Sequence, residues 1–173
     1  MNELIIVKPD DMHLHLREGA ILKYACKDTA KQFGRAIVMP NLKVPITTVN
    51  LASKVVHGIK LYPSGVTTNS DNGIDTIEKC FNIFELMQEH EVPLLIHGES
   101  NDKAVDIFDR EKVFIDKHLS EINSEFPDLR IVFEHISTKD AVDFVVGTNN
   151  KICATITPQH LLLDRNDLLS DGI

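Results

Sequence analysis

Ile131-Val132-Phe133-Glu134-His135 is a short apolar run that ends on two ionisable side chains. The same shape recurs along the chain. Leu94-Leu95-Ile96-His97 has it, Gly58-Ile59-Lys60-Leu61 sets a lysine inside it, and Met12-His13-Leu14-His15-Leu16 carries two histidines. Residues 36–39 form a further run, followed at once by Pro40 and Asn41, and residues 152–156 form the sixth. Continuous apolar runs of this length read as strands buried on both faces, the signature of a parallel sheet.

Helical patterns lie between the runs. Residues 21–33 are amphipathic and stop at Gly34. Residues 74–90 place Ile77, Phe81, Phe84 and Met87 near helical spacing and stop before Pro93. Residues 113–126 repeat the pattern through Phe114, Ile115, Leu119 and Ile122, up to Pro127. Ser137 or Thr138 can cap a short helix that runs through Val145 to Gly147. A shorter helix is expected over residues 51–57. Strands alternating with helices specify an α/β fold with a parallel sheet.

Pattern alone leaves a closed β/α barrel and an open doubly wound sheet both possible, and the polar residues choose between them. His13 and His15, Asn41, Lys60, His97 and His135 fall in or just after five of these runs, mostly at the C-terminal end. Chemistry collected from the C-terminal ends of many strands is the habit of the β/α barrel. An open sheet gathers it at one switch point, usually beside a glycine-rich loop, and the chain has no GxGxxG and no P-loop. One interval is short for a barrel. Only 19 residues separate Asn41 from Lys60, against 37 from Lys60 to His97 and 38 from His97 to His135. A βα unit takes roughly 30 residues, so one unit is expected to be missing there.

The 173 residues carry a formal net charge of −8 with acids and bases interspersed. A nucleic-acid or membrane-surface partner would need a basic face, so neither is expected. Three widely spaced cysteines, Cys26, Cys80 and Cys153, form no CxxC pair. They indicate neither a disulfide framework nor a structural zinc knuckle, which fits a reducing cytoplasm. The N-terminal MNELIIVKPDD lacks the basic and long apolar regions of a signal peptide. No apolar run is long enough to span a bilayer.

His13 and His15 occupy positions i and i+2 of a strand, so both imidazoles point to one face. Taken alone, such a pair is more often structural than metal-binding. His97 or His135 alone is likewise more often a satisfied core histidine. Lys60 inside an apolar strand is costly unless it is paired or modified. One reading is a lysine snorkelling at the strand end. Another is a lysine whose pKa burial depresses, so that its neutral amine takes up carbon dioxide to give a bridging carbamate.

Together the five residues make the structural readings much harder to sustain. Imidazole nitrogens suit zinc, and carbamate oxygens complement them. His13 and His15 would hold one ion, His97 and His135 the other, with Lys60 between. Two such ions acidify a bridging water and polarise a carbonyl. Glu99 and Glu134 stand beside these histidines and could orient their rings.

Arg17, on the same side of the pleat as His15, could clamp a carboxylate together with Asn41; the alternative is a surface ion pair with Glu18. The polar loop 63–73 could be a lid offering Thr67 and Thr68 to a substrate anion, or an ordinary βα loop. His160 follows a strand end and could face the site. His57, His90 and His118 are expected on exposed helix surfaces.

The segments MHLHLR, AIVMPN, KLYPSGVTTNS, LLIHGE, DIFDRE, VFEHISTKDA and ATITPQHL resemble dihydroorotases of the short bacterial type, within the amidohydrolase superfamily. The resemblance runs over nearly the whole chain. It implies a (β/α)8 TIM barrel of the metal-dependent amidohydrolase type, here a single partial catalytic domain over residues 1–173. It also implies an enzyme of pyrimidine biosynthesis that interconverts N-carbamoyl-L-aspartate and L-dihydroorotate. Carried over by motif, His13 and His15 bind the more buried zinc and His97 and His135 the second. Lys60 is the carboxylated bridge between the two Zn2+ ions of each subunit, Arg17 and Asn41 hold the substrate carboxylate, and Thr67 and Thr68 lie on the lid. A homodimer is the expected assembly.

The family's proton-handling aspartate sits on an eighth strand, and no residue up to Ile173 takes that role, so no catalytic residue is assigned. The expectation is a sequence from which stretches are omitted, since a barrel short of two strands would leave open sheet edges. A truncated, inactive product and a related amidohydrolase, a hydantoinase or allantoinase, are the alternatives.

Overall fold

The computed structural model describes residues 8–17, 19–41, 57–67, 70–71, 73–148 and 151–170. They belong to two compact units, Met1–Val55 and Val56–Ile173, each taken here by itself.

The first unit is one βαβ step. Strand β1 (Asp11–Arg17) leads through Gly19 into helix α1 (Ala20–Gln32), and the chain returns as β2 (Ala36–Asn41). Gly19 has φ +93, a left-handed conformation that glycine adopts without a Cβ clash, so the strand can turn sharply into the helix. β1 and β2 pair in parallel, with His15 opposite Met39 and Arg17 opposite Asn41, after an irregularity between Asp11 and Leu14. The entry end is tied by the Asp11 amide donating to the Arg35 carbonyl at 2.9 Å and by the Arg35 guanidinium on Asp10. The strands and helix lie where the apolar runs and periodicity place them.

The second unit is a four-stranded parallel sheet in sequential order, β3 (Ile59–Leu61), β4 (Leu94–Ile96), β5 (Ile131–Phe133) and β6 (Ile152–Ala154). Helices cross between successive strands. α2 (Phe81–Glu89) follows a 3-10 turn at Ile77–Cys80. α3 is composite: Arg110–Phe114 is α-helical, Ile115–Leu119 is a π turn and Ser120–Glu125 is α-helical again. α4 spans Lys139–Gly147, and two short helices, α5 (Pro158–Leu162) and α6 (Arg165–Leu169), close the described chain. The π turn widens one turn by a residue. Phe114 and Leu119, five apart, are accordingly both fully buried.

The core of this unit lies between one face of the sheet and the helices. Leu61, Ile96 and Phe133 from the strands meet Phe84, Phe114 and Ile122 from the helices, all at 4% exposure or less. Each such burial is worth roughly 1.5–3 kcal/mol. Alternation along each strand sets the opposite face. Lys60, Leu95, Val132 and Cys153 occupy one row across the four strands, and Cys153 in that row is exposed.

Two helical expectations shift, and two short helices were not expected. Residues 74–76 are not helical, because Ile74 forms a bridge to Pro63 and exchanges backbone hydrogen bonds with Tyr62 and Ser64. α3 begins three residues earlier than its apolar pattern, at Arg110. α5 and α6, five residues each, are too short to show a period. Residues 51–56 of the expected short helix lie outside the described residues, and His57 is exposed in a bend.

Candidate metal centre

In the first unit, His13 and His15 stand on β1 with their rings 4.7 Å apart and inclined at 66°. Their Nε2 atoms face each other at 2.9 Å. The i, i+2 spacing brings them to one side of the strand, and the Asp11 carboxylate accepts the His13 amide at 3.0 Å. Arg17 and Asn41 are register partners at the C-terminal ends of β1 and β2.

In the second unit, Lys60 lies on β3, and the parallel ladder continues one step past β4 and β5. The His97 amide donates to the Leu61 carbonyl at 2.9 Å, and the Glu134 amide to the Ile96 carbonyl at 3.0 Å. Alternation therefore puts His97 and Glu134 on the same face as Lys60, away from the helical core. The Glu134 carboxylate, fully buried, is paired with the Lys60 ammonium. Burial pushes that ammonium down to about 8, because desolvation disfavours the charged form.

The same alternation would send His135 to the helical face beside Phe133. It does not go there, because the backbone at His135 is left-handed, with φ +44. That conformation costs a non-glycine residue about 1–2 kcal/mol, and strain of this kind gathers at functional sites. The turn swings the His135 ring toward His97, so that His135 Nε2 and His97 Nδ1 are 3.1 Å apart with the rings inclined at 65°. Two residues hold the strained turn. The Thr155 hydroxyl accepts the His135 amide at 2.8 Å, and the Thr155 carbonyl accepts the Ile136 amide at 2.9 Å. The buried Glu111 carboxylate accepts the Ser137 amide at 3.1 Å and the Thr138 amide at 2.8 Å. Neither Thr155 nor Glu111 stands out in the sequence; the one available signal was that both fall within the quoted segments DIFDRE and ATITPQHL.

The arrangement can be tested against a metal. Two nitrogens on one tetrahedral zinc, at ~2.0–2.1 Å each, lie ~3.3 Å apart. Both imidazole pairs, at 2.9 and 3.1 Å, are close to that spacing. His97 Nε2 is buried with no hydrogen-bond partner among the described residues. The Glu99 carboxylate stands 3.7 Å from it, beyond hydrogen-bond range. Among the described residues no three His, Cys, Asp or Glu side chains converge on one point. Each pair thus needs another donor, and an unmodified lysine, as a cation, cannot be that donor.

The remaining candidates are placed as follows. Thr67 is exposed in the loop after β3; its amide donates to Ser70 Oγ at 3.0 Å. Thr68 lies outside the described residues. His160 is exposed on α5, and His90 is exposed at the end of α2. His118 departs from its expected exposed position: it sits in the π turn, half-buried, with its ring 5.4 Å from that of Phe114. No helix among the described residues is long and apolar enough to cross a membrane.

No family model matches the chain. Curated relatives do. It is 45% identical to a dihydroorotase of Picosynechococcus sp. over 212 residues, covering all of this chain and 61% of the relative. It is 44% identical to that of Alcanivorax borkumensis, again covering 61% of the relative. An alignment of 212 positions against 173 residues leaves room opposite gaps for about one further βα unit.

Among solved structures, the dihydroorotase of Campylobacter jejuni superposes with a TM-score of 0.83 at 32% identity, over 94% of this chain and 58% of that one. The Saccharomyces cerevisiae dihydroorotase, solved in complex with 5-fluoroorotic acid, superposes with a TM-score of 0.79 at 27% identity, over 94% and 59%. The chain spans about three fifths of the length of the relatives it matches. Its parallel α/β architecture is part of their TIM-barrel fold, and along its whole length the chain is similar in sequence to dihydroorotases.

Proposed function

We propose that this chain is the metal-holding part of a dihydroorotase. The enzyme closes N-carbamoyl-L-aspartate to L-dihydroorotate with loss of water, and opens the ring amide by adding water in reverse. The observation that carries the reading is the facing of imidazole nitrogens in two pairs, His13 with His15 at 2.9 Å and His97 with His135 at 3.1 Å, each within a few tenths of an ångström of the ~3.3 Å between two nitrogens on one zinc. In this reading His13 and His15 hold one zinc, and His97 and His135 the other. Lys60, carboxylated on Nζ, would supply the anionic oxygen that the His97–His135 pair lacks. When bound, the two zinc ions polarise the amide carbonyl and make water nucleophilic at neutral pH.

The protein's own groups do the rest. The buried Glu134 carboxylate pairs with Lys60 while its amine is unmodified, and holds it at the strand end before carboxylation. Arg17 and Asn41, opposite each other in the β1–β2 register, offer a guanidinium and an amide to the substrate carboxylate. Thr67 and Thr68 belong to the loop that would cover the substrate. The proton-handling aspartate is assigned to none of the 173 residues. One barrel domain over residues 1–173, a homodimeric assembly and a cytoplasmic location belong to the same proposal. The location is supported by three free cysteines.

The test is zinc content and dihydroorotate turnover in Lys60→Ala. Loss of both, with partial rescue by short carboxylic acids, is expected. Full activity in that variant, or wild-type turnover of hydantoin but not dihydroorotate, would overturn the reading.

A further inference from the structure

Helix α3 reaches both histidines of the second pair without touching either ring. From its first turn, the Arg110 carbonyl accepts the Ser100 amide at 3.0 Å, three residues past His97. From the next residue, the Glu111 carboxylate accepts the Ser137 and Thr138 amides at 3.1 and 2.8 Å, together with the Thr138 hydroxyl, two and three residues past His135. Glu111 is 8% exposed, so these bonds are formed away from bulk water. A buried carboxylate spanning 26 residues of sequence to reach two consecutive backbone amides does more than cap α4, whose N-cap Thr138 already accepts the Ala141 amide with its own hydroxyl. The segment it grips begins one residue after the left-handed turn that aims the His135 ring.

We propose that Glu111 is a positioning residue for the metal pair: by fixing Ser137 and Thr138 it holds the turn at His135, and so the separation of the His135 and His97 rings. The proposal rests on the metal reading above. Neutral glutamine keeps the size of Glu111 but turns an amide N–H2 toward donors, so Glu111→Gln should release the segment while sparing the core.

The experiment measures zinc affinity by chelator competition in the full-length protein and, in zinc-free protein, the ring 15N shifts of His97 and His135. Glu111→Gln is compared with Glu111→Asp and with Ile122→Val, a core variant that lowers stability without touching either loop. Glu111→Gln is expected to weaken zinc binding about 10- to 100-fold and to shift both ring signals. Glu111→Asp, which retains the charge, should recover most of the affinity, and Ile122→Val should change neither readout. If Glu111→Gln does not fold, Glu111→Asp carries the test, with both readouts moving the same way by a smaller amount.

Glu111 variants that match Ile122→Val in both readouts overturn the proposal. A zinc stoichiometry left unchanged by His97→Ala and His135→Ala overturns the metal reading instead. The zinc-free ring shifts then decide for or against Glu111 on their own.

Discussion

The carbamate proposed on Lys60 predicts carbon dioxide uptake that can be measured directly. Burial lowers this ammonium from 10.5 to about 8. At pH 7 a group titrating near 8 is neutral in about one molecule in ten, and an ordinary lysine in about one in three thousand, a ~300-fold difference in reactive amine. Two other lysines serve as internal references. Lys112 and Lys139 are held above the usual lysine value by their hydrogen bonds to Asp116 and Asp143. The zinc-free protein would be equilibrated with 13C-labelled carbon dioxide at fixed partial pressure, between about pH 6 and 10, beside Lys60→Arg.

One side-chain carbamate signal is expected in the wild type, beside that of the α-amino group. It should grow as pH rises through about 8 and be missing from Lys60→Arg, with the Lys112 and Lys139 peptides unlabelled. A wild-type signal no larger than the α-amino carbamate that Lys60→Arg retains, or one that grows only near pH 10.5, refutes the reasoning. The linked effect on stability has a definite sign. Between about 8 and 10.5 the unfolded chain binds the Lys60 proton and the folded chain does not, so stability rises with pH across that window, by at most about 3 kcal/mol. The difference from Lys60→Met in denaturant titrations isolates it.

Two further perturbations probe the scaffold around the histidines. A Cβ at Gly98 would stand 2.1 Å from Cε2 of Phe133 and 3.1 Å from Cδ1 of Phe114. Both rings are fully buried, so Gly98→Ala should cost about 1–3 kcal/mol; an unchanged denaturant midpoint would refute the close packing beside His97. Thr155→Val keeps the shape but removes the hydroxyl that accepts the His135 amide at 2.8 Å. It should lower stability by about 1 kcal/mol and shift the His135 ring resonances, and the idea fails if those resonances stay put.

What the sequence determined by itself was local. A strand needs only a few apolar residues in a row, so all six described strands lie on the predicted runs. An i, i+2 pair on a strand shares a face by geometry alone, which made His13 and His15 legible as a pair. Thr138 as the cap of α4 was likewise readable from a hydroxyl placed before a helical pattern.

What the tertiary structure decided depends on contacts across 20 or more residues. Glu134 sits on Lys60 from 74 residues away, because the register of β3, β4 and β5 puts them on one face. Thr155 and Glu111 reach the His135 turn from 20 and 26 residues away. The left-handed backbone at His135 reverses the face that alternation assigns to it. A period of two along one strand fixes which side chains share a face, but it carries no information about register with a neighbour or about a turn imposed from another helix. For that reason the ligand candidates could be read from the chain, and the groups that aim them could not.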